Sequence, residues 1–129
     1  MIDFAEELPA QCPPQDANDV KFERIFRTIP DEEIEQKHFL SKMANGDKLQ
    51  YGTDPCRFAS CSMYTAKRAA RKMLQFPKFT GGTVAELTIP EGSGESKKKK
   101  QHVDFWAYQD FNFLEAVTKI HTDEDGDDE

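Results

Sequence analysis

Two groups of residues in this chain have the types and spacing for chemistry. The first is the cysteine pair in "PCRFASC", Cys56 and Cys61, with four residues between them. Zinc sites accept cysteines about two to four residues apart, so Cys56, Cys61, Cys12 and His102 could form a closed Cys₃His site. A catalytic cysteine needs a neighbouring base, and His38 and His102 are the candidates. The alternative for the same side chains is free, mostly buried thiols, since three cysteines are an odd number for a disulfide framework.

The second group is "HVDFWAY", residues 102–108. Alternation along a strand puts His102, Asp104, Trp106 and Tyr108 on one side, successive members roughly 7 Å apart. An imidazole, a carboxylate and two flat aromatic surfaces on one wall suit ligand stacking with polar control of orientation. The alternative is that Trp106 and Tyr108 cover the sheet beneath the N-terminal arm.

A third set is purely electrostatic. Lys67, Arg68, Arg71 and Lys72 crowd one side of a helix starting at Thr65, opposite a stripe of Ala66, Ala69, Ala70 and Met73. Lys97 to Lys100 follow in a segment of Gly, Ser and Lys. Together these bases could hold a phosphate or contact nucleic acid non-specifically, with binding that weakens steeply in salt. The alternative is a solvated face paired with surface carboxylates. Residues 123–129, "DEDGDDE", carry six carboxylates and no base. Setting those six against the net charge of −7 leaves the rest of the chain at −1. The charge is therefore segregated, and an acidic tail would repel a polyanion or mask the basic patch.

The elements that position these groups follow from periodicity and punctuation. Pro9, Pro13 and Pro14 block a regular helix in residues 1–20, which read as an extended arm packing through Phe4 and Leu8. "KFERIFRTI" (21–29) alternates as a first strand. Pro30 followed by three acids opens a helix expected to run to about Ala44 and to stop at Asn45 and Gly46. A loop follows over 45–57, a short strand near 60–64, and the basic helix from Thr65 to about Gln75, ended by Pro77. "TVAELTI" (83–89) is the clearest strand, residues 90–101 read as a flexible loop, and 102–108 as a strand with Val103, Phe105 and Ala107 inward. Residues 111–120 fit a last strand, or a short helix through Leu114, Val117 and Ile120. The expected class is α+β: a mainly antiparallel sheet of about five strands with two helices, an extended arm (1–20), one domain (21–120) and a disordered acidic tail (121–129).

With 129 residues and ten Phe, the chain can bury a core as a single domain. No apolar run approaches the roughly 20 residues that span a bilayer. The acidic "MIDFAEELPAQCPP" lacks a signal-peptide pattern, and the expected location is cytoplasmic.

The segments "ELPAQCPPQDA" (7–17), "FERIFR" (22–27), "HFLSK" (38–42), "PCRFASCSMYTAKRAARKM" (55–73) and "HVDFWAY" (102–108) together resemble a family of small uncharacterised bacterial proteins. That resemblance implies no activity. At the level of fold, "SMYTAKRAARKML" and "GGTVAELTIP" are similar to segments of ADP-ribosyltransferase-like domains. This second resemblance implies an NAD pocket with Arg24 or Arg27, Tyr64 and Glu115 as its working residues. No Ser-Thr-Ser or Gln/Glu-x-Glu pattern precedes Glu115. The functional expectation is a non-catalytic protein-binding or regulatory module, of inhibitor or immunity type. The alternatives are an NAD-binding enzyme and a nucleic-acid binder, and neither zinc nor NAD is an expected cofactor of the leading reading.

Overall fold

A computed structural model describes residues 3–122. Six strands form one open antiparallel sheet: β1 (Phe22–Ile29), β2 (Cys61–Tyr64), β3 (Thr83–Ile89), β4 (Gly94–Lys99), β5 (His102–Ala107) and β6 (Val117–His121). Their order across the sheet is β4-β5-β2-β1-β3-β6. Three short helices, α1 (Pro55–Phe58), α2 (Lys67–Lys72) and α3 (Phe113–Ala116), and three 3-10 turns complete the α+β fold. The sheet thus has six strands rather than five.

Both faces of the sheet are covered. On one, Ile25, Ile29, Met63, Leu87, Val103 and Phe105 form the main core. Phe39 stacks on Phe113 there, with ring centroids 4.8 Å apart, so the turn at Gln36–Phe39 and helix α3 close that side. On the other, Ala70 and Leu74 pack on Phe26 and Val84. The hydroxyl of Thr28 donates to the Ala70 carbonyl at 2.8 Å and ties α2 to β1.

Several expectations need correction or refinement. The helix foreseen over residues 30–44 is only the 3-10 turn Gln36–Phe39. There the backbone N–H of Glu35 donates to Nδ1 of His38 (2.9 Å) and the other ring nitrogen meets Asp31 (2.7 Å). A side chain thus satisfies backbone groups that a helix would otherwise pair. The Lys-rich segment is not a loop: Gly94 and Ser96 pack inward and pair with β5, while Lys97–Lys99 stay exposed. Lysines on such an edge discourage strand addition by another chain. Residues 111–120 divide into α3, capped by Asn112 through its bond from Glu115 N, and β6. The acidic stretch 123–129 lies outside the described residues, whereas His121 belongs to β6.

The N-terminal arm is stapled in place. Phe4 pairs with Tyr108, and Asn18 exchanges two 2.8 Å backbone hydrogen bonds with Ser96 on the edge strand β4. Cys12 and Cys56 form a disulfide, with Cα atoms 5.4 Å apart, which corrects the expectation of free thiols. The arm's fold over the β4–β5 edge brings together two cysteines 44 residues apart in the chain.

Candidate functional site

A cleft of about 1020 Å³ opens on the α2 side of the sheet, between α1, the segment 73–79 that follows α2, and the loop that precedes α1. The ladder between β1 and β2 holds one pair, Phe26↔Tyr64, and does not continue to Thr28 and Ser62. Arg27 fills the gap: its guanidinium donates to Ser62 O at 2.7 Å and to His38 O at 3.0 and 3.1 Å. A side chain thereby replaces the missing backbone ladder.

The polar wall comes from β2 and β5. Their register sets Ser62 opposite Asp104 and Tyr64 opposite His102, so all four side chains share the cleft face. Ser62 Oγ lies 2.5 Å from His102 Nε2. His102 Nδ1 is 3.6 Å from Asp104 Oδ1. The carboxylate beside Nδ1 favours the tautomer protonated there, which leaves Nε2 to accept from the Ser62 hydroxyl. Burial holds the His102 pKa below its ordinary value; Asp104 opposes that shift and Arg57 adds to it. The imidazole is therefore neutral and able to take a proton at neutral pH. Tyr64 meets the imidazole edge-on, with centroids 5.4 Å apart, and burial raises its phenol pKa.

Asp104 is buried and held from three directions. Arg57 Nε donates to Oδ2 at 3.1 Å, Ser60 Oγ stands 3.2 Å from Oδ1, and His102 flanks Oδ1. Arg57 rides on α1, whose start is fixed by Pro55 and by Asp54, which accepts from Cys56 N at 2.9 Å. The Trp106 indole donates to Cys56 O at 3.0 Å and the disulfide joins Cys56 to the arm. Helix α1, only one turn long, is therefore pinned at both the main chain and the sulfur. Phe58, Met73, Phe76 and Phe79 add apolar surface to the same lining.

The residues singled out in the sequence disperse. Of the wall at 102–108, His102 and Asp104 line the cleft, but Trp106 is buried under α1 and Tyr108 packs on Phe4. Arg27 and Tyr64 line the cleft, whereas Arg24 pairs with Glu86 and Glu115 is exposed on α3. The basic helix does not present one exposed face. Lys67 is 1% exposed and shares the inward stripe with Ala70 and Leu74, because the helix turns by roughly one residue from the expected stripe. Arg68 and Lys72 are exposed and Arg71 is half-buried. Lys97 pairs with Asp16 at 3.2 Å. Cys12 and Cys56 are joined as a disulfide and hold no thiolate for a metal, while Cys61 is buried on the opposite face from Ser62, its thiol pKa raised by burial.

Ser62, Ser60 and Arg57 escaped the sequence reading. Alternation in "CSMY" does place Ser62 and Tyr64 on one face, but only strand order sets that face beside His102 and Asp104. No helix among the described residues is long and apolar enough to cross a membrane. No protein-family model, curated protein or solved structure matches the chain.

Proposed function

We propose that this protein is a binding module whose site is the cleft over β2 and β5, and that its occupant is a small organic molecule with an apolar body and a polar head. The observation that carries this reading is the cleft's mixed lining: the polar groups of Ser62, Tyr64, His102 and Arg57 share it with the aromatic groups of Phe58, Phe76 and Phe79. A concave apolar site with a few convergent polar groups is the usual form of a small-ligand site.

Titration of the ¹⁵N-labelled full chain with aromatic carboxylates and aryl amides tests it, with NAD as a comparison ligand. Shifts clustered at Ser62, Tyr64, Phe79 and His102 support the reading. Shifts scattered over the surface, or none at millimolar ligand, remove it. A set confined to NAD would favour the nucleotide alternative.

A second reading, binding of a protein partner, is favoured by the cleft's mouth. Tyr51 is fully exposed in the loop whose Gly52 and Thr53 line the cleft, and Phe76 is 54% exposed on the other side. Tyr51→Ser should abolish partner binding while leaving small-ligand shifts in place.

A further inference from the structure

Serine, histidine and aspartate stand in sequence across the floor of the cleft, a constellation that simple ligand binding does not need. We infer that the cleft carries a nucleophilic acyl-hydrolase activity in which Ser62 is the nucleophile, His102 the general base and acid, and Asp104 the group that orients and balances His102. The inference deepens the small-ligand reading above, since it gives the occupant a chemical class: an ester or thioester with a small apolar acyl group.

The geometry assigns each role. Nε2 of His102 faces the Ser62 hydroxyl at 2.5 Å and Nδ1 faces Asp104 at 3.6 Å, so the two ring nitrogens are divided between nucleophile and carboxylate. That division, nucleophile to base to orienting acid, defines such sites irrespective of fold or chain order. Asp104 is buried and fixed by Arg57 and Ser60, which holds it beside the imidazole. Arg57, its side chain 59% exposed, adds a cation to the same cleft, where negative charge would develop on a carbonyl oxygen. The apolar side chains of Phe58 and Phe79, which line the same cleft, accommodate the acyl group.

The chemical steps balance without any further cofactor. The Ser62 Oγ–H bond breaks as its proton passes to Nε2 and its oxygen attacks the carbonyl carbon. The carbon–leaving-group bond then breaks, and the leaving alcohol or thiol takes the proton from Nε2. A water molecule next gives its proton to Nε2 and its oxygen to the acyl carbon. The acid departs as Ser62 regains the proton, and the enzyme is restored. Overall, one ester bond and one water are consumed for one acid and one alcohol or thiol.

The test uses the full chain with a fluorophosphonate probe and p-nitrophenyl acetate. One equivalent of probe should add to Ser62, located by peptide mass mapping, with a burst of p-nitrophenol. Ser62→Ala should abolish labelling, and His102→Gln should slow it at least 100-fold. Ser62→Cys should restore acylation by p-nitrophenyl acetate, a rescue that a merely structural serine would not give. Circular dichroism of each variant establishes that it folds. If Ser62→Ala unfolds, the mapped label on the wild-type chain decides the matter. No label, a label elsewhere, or equal labelling of folded Ser62→Ala overturns the inference. A wild-type chain that binds an aryl amide in the cleft yet takes no label loses only the hydrolytic assignment. A chain that does neither loses the small-ligand reading as well.

Discussion

The guanidinium of Arg27 donates to the carbonyl of Ser62 across 2.7 Å, at the point where β1 and β2 cease to pair. The contact ties β1 to β2 beside the cleft, which both residues line. The two partly buried backbone acceptors, Ser62 O and His38 O, are satisfied by a single planar fork.

Arg27→Ala should therefore destabilise the fold and loosen the cleft together. Leaving two partly buried carbonyls without donors costs about 2–6 kcal/mol at about 1–3 kcal/mol for each unsatisfied group. Urea denaturation checks the loss. Arg27→Lys should fall between, because an ammonium cannot reproduce the fork. A variant as stable as the parent would show that water replaces the guanidinium without cost.

The Cys12–Cys56 bond closes a long loop across the arm and α1. Chain entropy makes its removal cost up to about 4 kcal/mol. Dithiothreitol, or paired Cys12→Ser and Cys56→Ser, should lower the melting temperature. The paired variant should also weaken the hold of α1 on Trp106 and Asp104. Thiol titration of the unreduced chain should find no reactive thiol when native and one, Cys61, in denaturant.

Glu86 provides the pH dependence of stability. Burial by itself would raise its pKa, but hydrogen bonds from Arg24 and His121 outweigh burial and hold it below the ordinary value of 4.5. The folded state thus binds the proton less well than the unfolded chain. The associated stability is present above pH 4.5 and is lost as pH falls through the lower, folded value. Denaturation midpoints measured from pH 6 down to pH 3 should fall over that window. Glu86→Gln should flatten the fall.

Labelling of Ser62 should follow the protonation of His102, whose pKa lies below its usual 6.5. The rate should be full at pH 7 and above and should decline as pH drops below that usual value. Asp104 and Arg57 act on this imidazole in opposite senses, Tyr64 faces it from β2, and Lys99 stands opposite it on β4. Arg57→Ala should move the midpoint upward, since the charge that disfavours the imidazolium is removed. A pH-independent rate would separate His102 from the reaction.

Gly82 packs its Cα against the main chain at the turn into β3. An added Cβ would overlap the carbonyl of Ile29 and crowd that of Phe79, both of them backbone atoms that cannot swing aside. Gly82→Ala should cost at least about 1–3 kcal/mol through overpacking. Thermal unfolding measures it.

Particular elements show where local sequence suffices. Strands β1, β3 and β5 were legible because alternating or continuous apolar residues carry a face preference along the strand itself. Helix α2 was legible from its alanines and the proline that follows, and the arm from its prolines. The 3-10 turn at Gln36–Phe39 was not, because its geometry depends on the His38 ring bonding the backbone of Glu35 and the side chain of Asp31. Strand β4 was hidden too, since a Lys-rich segment has no strand signature until β5 offers it a ladder. By itself the sequence determined an α+β chain with an antiparallel sheet, a nearly neutral body and an acidic end, because propensity, patterning and charge are local properties. Only the tertiary structure decided that Cys12 meets Cys56 and that Ser62 meets His102 and Asp104. Those meetings depend on which strands are neighbours and in what register, and the β2–β5 ladder closes across about 40 residues of intervening chain.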